Sequence, residues 1–152
     1  MKRFFLFVCL VIAGAVFAAG CSSDSDDSNP TNTTGNGSMS AKVNNAAWSA
    51  TTVQAVWTSN VLNMGGAQIS GSENRQINIA GMIAATGKYS LNPFSGIVAT
   101  YSFGSGTSVT SKTATSGELN VTSLSSSGAK GTFNFQTDGY GVTEGTFDVK
   151  FK

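Results

Sequence analysis

From Met39 onward, apolar and polar residues alternate with a period of two. In "RQINIAG" Ile77 and Ile79 share one face, and Gln76 and Asn78 take the other. "GTFNFQ" groups Phe133 with Phe135, and "GTFDVKF" groups Phe147, Val149 and Phe151. "GELNV" does the same with Leu119 and Val121, as "ATYSFG" does with Tyr101 and Phe103. Strict alternation of this kind marks strands with one face in a core and one in water, paired antiparallel. No window of about eleven residues keeps a helical stripe.

Turn signals separate these runs. Asn44-Asn45 suits the left-handed conformations of a tight hairpin between "SAKV" and "AWSAT". Ser72 to Asn74, Asn92-Pro93, Gly104 to Gly106, Ser125 to Gly128 and Asp138 to Gly141 are further turns. The pattern predicts strands at 40–44, 47–57, 61–71, 75–84, 87–91, 97–103, 108–113, 116–124, 129–137 and 142–151. The apolar phase slips twice, between Ala50 and Val53 and between Val121 and Leu124, and both slips suggest bulges that help a sheet curl. The expected fold is all-β, an antiparallel meander of about nine to ten strands that closes into a flattened barrel or β-sandwich to cover its apolar face. Its Phe-rich inner faces suffice for one core without a disulfide. "GTFNF" and "GTFDVKF" are alike, and two paired strands of a C-terminal hairpin account for both.

Composition narrows the chemistry. Charged residues are 11% and the net charge is +1, so there is no basic footprint for nucleic acid. The chain has no histidine, the commonest general base and metal ligand. Its two cysteines, Cys9 and Cys21, lie near the N-terminus, so no cysteine metal site is expected in the body of the chain.

The N-terminus reads as an address. Lys2 and Arg3 precede an apolar run from Phe4 to Phe17, then Ala18, Ala19, Gly20 and Cys21. The run is short of the roughly 20 residues of a membrane span and fits the core of a signal peptide. "AAGC" resembles the lipobox of bacterial lipoproteins, with Ala18 where that motif has Leu. The resemblance implies a signal peptide over 1–20, removed with Cys9, and a diacylglycerol thioether on Cys21. Two or three acyl chains anchor stably where one is marginal. The other readings are a secreted chain with a free Cys21 and an uncleaved membrane anchor. Residues 21–38 contain Asp24, Asp26, Asp27, Pro30, Gly35 and Gly37, and Ser22 to Ser38 contain no apolar residue, the composition of a flexible tether. The Ser-Asp cluster is similar to surface-export signals of some Bacteroidetes lipoproteins. Ser22 is not the Asp that often retains lipoproteins at an inner membrane. The expected place is therefore the bacterial envelope, at the outer membrane on its periplasmic or surface face.

The domain over 39–152 resembles a group of small Bacteroidetes envelope lipoproteins. They share a Val-Asn/Asp-Gly-x-x-Trp start, here "VNNAAW", and a Gly-x-Phe-x-Val-x-Phe/Tyr end, here "GTFDVKF". Asn45 stands where that group often has Gly. The resemblance supplies no catalytic residues.

The acids of this part, Glu73, Glu118, Asp138, Glu144 and Asp148, show no spacing for a carboxylate pair. Without histidine, a serine nucleophile would need one of the lysines, and these read as solubilising strand residues. "GSGTS" at Gly104 lacks the lysine and helix of a phosphate loop, and "DGYGVTE" reads as a Gly-rich hairpin loop sooner than as a calcium site. No enzyme, cofactor or metal is expected. Aromatic residues remain as binding candidates. Tyr140 between two glycines, Trp48 and Trp57 could stack on a sugar, though the parity of both tryptophans fits the core. The expected role is a membrane-anchored, non-enzymatic structural or interaction module with an envelope protein or glycan as partner. The alternative is small-molecule or glycan binding in a barrel mouth or on an aromatic patch.

Overall fold

A computed structural model describes residues 34–35 and 37–151. The proposed signal peptide, Cys21 and most of the tether lie outside these residues. The described chain forms eleven strands and no helix: β1 Thr34–Gly35, β2 Gly37–Val43, β3 Ala46–Ser49, β4 Thr52–Thr58, β5 Val61–Ser70, β6 Glu73–Met82, β7 Gly87–Ser90, β8 Ile97–Ser105, β9 Ser108–Ser125, β10 Gly128–Thr137 and β11 Gly141–Lys150. The sheet therefore begins within the stretch read as tether. All pairings are antiparallel except the two-residue bridge of β1 to β4.

The strand order is β1-β4-β5-β6-β8-β9-β10-β11-β2-β3, with β7 added beside β9. It is the expected meander, curled into a half-barrel. The two ends of the order meet at the N-terminal strand. Thr34–Gly35 pair with β4, while Gly37 onward pairs with β11.

Two sequence expectations are corrected at the bends. Residues 47–57 are two strands, not one strand with a bulge. The Ala50 N–H donates to the Met39 carbonyl at 2.9 Å, and the next N–H, of Thr51, donates to the Ala67 carbonyl at 2.7 Å. Successive residues thus bond to opposite halves of the sheet, and the phase slip is a corner. Conversely, the segments expected at 108–113 and 116–124 form the single strand β9. Its first part pairs with β8 and its later part with β10. The slip after Val121 is a bulge as expected, because Lys130 faces Ser123 while Gly131 faces Val121.

Both halves turn their apolar positions inward. Leu62, Met64, Ile77, Ile79 and Ala99 come from one side, and Leu119, Val121, Phe133, Phe135, Phe147 and Val149 from the other; all are buried. The interior is packed with side chains. Trp48 joins the halves. Its indole lies over Gly66 of β5, where an added Cβ would sit 2.9 Å from Trp48 Cη2 and 2.8 Å from Ala50 Cβ. Its ring N–H donates to the Arg75 carbonyl at 3.2 Å, so the one polar atom of the buried indole is satisfied. The two "GTF" segments pair reciprocally. Gly131 faces Phe147, Thr132 faces Thr146 and Phe133 faces Gly145. Each phenyl ring covers the other strand's glycine, with Cβ-to-ring distances of 2.8 Å at Gly131 and 2.5 Å at Gly145.

Gly66→Val would force the two halves apart at the Trp48 contact. It is expected to destabilise the fold by about 1–3 kcal/mol. Urea unfolding would show this as a lower midpoint at an unchanged slope; an unchanged midpoint would contradict the packing described.

Candidate functional site

Four turns gather at one rim of the half-barrel: β2–β3 (Asn44-Asn45), β5–β6 (Gly71-Ser72), β8–β9 (Gly106-Thr107) and the β10–β11 loop (Asp138 to Tyr140). Asn44 and Asn45 have φ values of 47° and 64°, the left-handed pair that a two-residue hairpin requires. This agrees with the turn expected from sequence. The tip also does a second task. Asn44 N–H donates to the Gly141 carbonyl at 2.8 Å. Asn44 Oδ1 accepts from Gly141 N–H at 2.8 Å, and Asn44 Nδ2 donates to the Gly139 carbonyl at 3.3 Å. These bonds clip the β10–β11 loop to the β2–β3 tip. Across the loop, Lys112 pairs with Asp138 at 3.1 Å, and Thr137 N–H donates to the Tyr140 carbonyl at 2.8 Å.

The clip places Tyr140 against two aromatic residues of β8. Ring centroids are 5.1 Å apart for Tyr101 and Tyr140, 4.8 Å for Phe103 and Tyr140, and 5.5 Å for Tyr101 and Phe103. Beside them opens a cleft of about 330 Å³, lined also by Asn44, Glu73, Asn74, Arg75 and Ser105. The neighbouring strands β6 and β8 form one continuous wall, with Asn74 paired to Gly104 and Arg75 to Phe103. Tyr101 is buried at 3% exposure, while Phe103 and Tyr140 are half-buried. Asn74 Oδ1 is buried without a hydrogen-bond partner among the described residues. Such an atom costs about 1–3 kcal/mol until something donates to it.

The electrostatics are modest. Arg75 pairs with Glu73 at 3.0 Å on the open side of the cleft. Burial pushes the Tyr101 phenol above its ordinary pKa; the Arg75 guanidinium pulls it down in part, and Tyr140 and Glu73 add to the rise. The other acids of the domain are likewise paired with a cation: Glu118 with Lys88, Asp138 with Lys112, Glu144 with Lys42 and Asp148 with Lys130. Only Glu73 among them lines the cleft. An aromatic wall with one cation, amides and no second carboxylate is suited to holding a ring, and it lacks the paired acids that glycoside hydrolysis uses.

Of the sequence candidates, Tyr140 is in the cleft, half-buried and packed against Tyr101 and Phe103. Trp48 is 1% exposed and offers no face to a ligand. Trp57 lies elsewhere, half-buried, its ring N–H donating to the Ile83 carbonyl at 2.9 Å and its ring stacked 6.0 Å from Phe151. Phe103, Asn74, Arg75 and Asn44 were missed. Arg75 is the one arginine after Arg3, in a run "ENRQ" at a turn, and that was the available signal.

A family model described as a domain of unknown function (DUF6252) matches residues 35–151. No curated protein matches the chain, and no solved structure does.

The phenol of Tyr101 is expected to ionise above the ordinary tyrosine value near 10. The folded state holds this proton more tightly than the unfolded chain does. The stability it contributes is therefore full below the ordinary value and is lost as pH rises through the folded one. Tyrosinate absorbance in an alkaline titration, compared with Tyr101→Phe, checks this; a Tyr101 transition at the ordinary value would contradict it.

Proposed function

The chain belongs to the DUF6252 family, and we propose that it is a lipid-anchored protein of the bacterial envelope, held at the outer membrane through Cys21. Its half-barrel is a non-enzymatic binding module, and the rim cleft takes a small ring-bearing ligand, a glycan unit before others. The aromatic cleft carries this reading. Phe103 and Tyr140, backed by the buried ring of Tyr101, offer apolar ring surface, and Arg75 offers donors at its edge. That is the usual composition of a small-molecule site, an apolar wall with a few fixed polar groups. The filled interior favours the rim over a chamber inside the barrel. Buried Phe133, Phe135 and Phe147 occupy the space that such a chamber would need. The anchor rests on the sequence Ala18-Ala19-Gly20-Cys21 and the polar segment after it.

Two experiments test the two parts. Radiolabelled palmitate should enter the wild-type chain in bacterial cells and be lost in Cys21→Ala; label retained in that variant sinks the anchor. A titration with neutral and N-acetylated mono- and disaccharides, followed by NMR, should shift resonances at residues 73–75, 101–105 and 139–141. Tyr140→Ala should weaken the binding by about tenfold, the loss of roughly 1.4 kcal/mol. Shifts that spread evenly over the surface, or none, would defeat the cleft as a site.

A further inference from the structure

At the end of β5, β6 and β8 remote from the rim cleft, apolar side chains stand in the open. Phe94 is 97% exposed, Met82 67% and Val61 45%. Val61 and Met82 are register partners on β5 and β6. The β7–β8 loop that bears Phe94 abuts the same end of β6, since a Cβ on Gly81 would lie 2.5 Å from the Gly96 carbonyl oxygen. The loop is not slack. Phe94 N–H donates to Asn92 Oδ1 at 2.8 Å, and the Ser95 hydroxyl donates to the Ser90 carbonyl at 2.7 Å while accepting from Ile97 N–H at 3.3 Å. Pro93 fixes the backbone just before the exposed ring. Local hydrogen bonds thus hold a phenylalanine out in solvent, where the gain from burying its ring is forgone.

We propose that this fringe seats on a lipid surface, with Phe94 entering the boundary between headgroups and acyl chains, and that the seating turns the rim cleft away from the bilayer. The inference rests on the anchor at Cys21 proposed above. Three observations choose lipid as the occupant. First, the stretch from Cys21 to Thr34, where the chain joins the sheet, can extend to about 45 Å at 3.3–3.6 Å per residue, so any end of the domain can reach the surface that holds it. A tethered domain meets that surface at millimolar effective concentration, where a small apolar contact suffices. Second, the segments that build this end carry little charge. Residues 50–72, 76–87 and 89–111 contain no charged side chain, and Lys88 between them is paired with Glu118. Third, the fringe lies one strand length from the cleft. β8 runs from Ile97 beside the loop to Ser105 at the cleft, nine residues, or about 30 Å.

The test uses the acylated full-length protein in vesicles of phosphatidylethanolamine and phosphatidylglycerol with brominated acyl chains. Phe94→Trp is compared with Val109→Trp, which lies on the β8–β9 hairpin at the rim end and is 60% exposed. Each is read against the unsubstituted protein, whose Trp48 and Trp57 give a common background. Insertion of an apolar face by about 5–10 Å should make quenching of the new indole about threefold stronger in Phe94→Trp than in Val109→Trp, with little dependence on salt. Equal quenching, or stronger quenching in Val109→Trp, overturns the seating. So does cross-linking of the loop between two copies in place of quenching, which would make the occupant a second chain. Mass spectrometry of Cys21 separates the failures. A missing lipid overturns the anchor and the seating together, whereas a lipid present without quenching overturns the seating alone.

Discussion

The indole of Trp48 covering Gly66 decides whether this sheet can fold over on itself. A meander with one apolar face must hide that face, and here it does so by bringing β2 and β3 across β5. The contact needs both partners. Gly66 leaves β5 without a side chain where the opposing half approaches, and the Trp48 indole fills the gap. The corner at Ala50-Thr51 follows, because the chain must leave one half and join the other within two residues of Trp48. The cleft follows as well. The same indole bonds to the Arg75 carbonyl, so the strand that walls the cleft is fixed from behind by the core.

Much of the fold could be read from the residues because half-buried strands write their burial directly into a period of two. The Phe133, Phe147 and Ile77 runs are examples, and so is the Asn44-Asn45 turn, where two left-handed residues leave few alternatives. The corner at Ala50-Thr51 is not legible, because a change of half and a bulge leave the same mark in sequence, one slipped residue. The continuity of β9 is hidden in the sequence, because a strand passing between halves loses its alternation where its partners change, around Ala114 and Thr115. The cleft was legible only in Tyr140. Its other members serve it through tertiary placement. Phe103 alternates like a core residue, and Asn44 looks complete as a turn residue before its bonds to Gly139 and Gly141 are known.

The rim and the remote end divide the surface by chemistry. Two cross-element ion pairs, Lys42–Glu144 and Lys112–Asp138, and the Arg75–Glu73 pair within β6 sit around the rim turns. Exposed pairs of this kind add little stability each. Their effect here is on geometry, since they restrain the turns that shape the cleft. Beside the other end of β5 and β6 the ion pair is Lys88–Glu118, and the β7–β8 loop there holds its polar backbone groups in local hydrogen bonds. In the proposed reading, one end discriminates a ligand and the other rests against a lipid surface.

The reciprocal pairing of Gly131-Thr132-Phe133 with Gly145-Thr146-Phe147 makes the C-terminal hairpin a palindrome in side-chain volume. A large ring on either strand is admissible only where its neighbour has given up its own side chain. Among relatives, then, positions 131 and 147 should vary as one unit and 133 and 145 as another, with bulk free to trade across each pair but not to be added to it. Two sites far apart in sequence order behave as a single inherited character, and their joint variation would reveal this register without any structure.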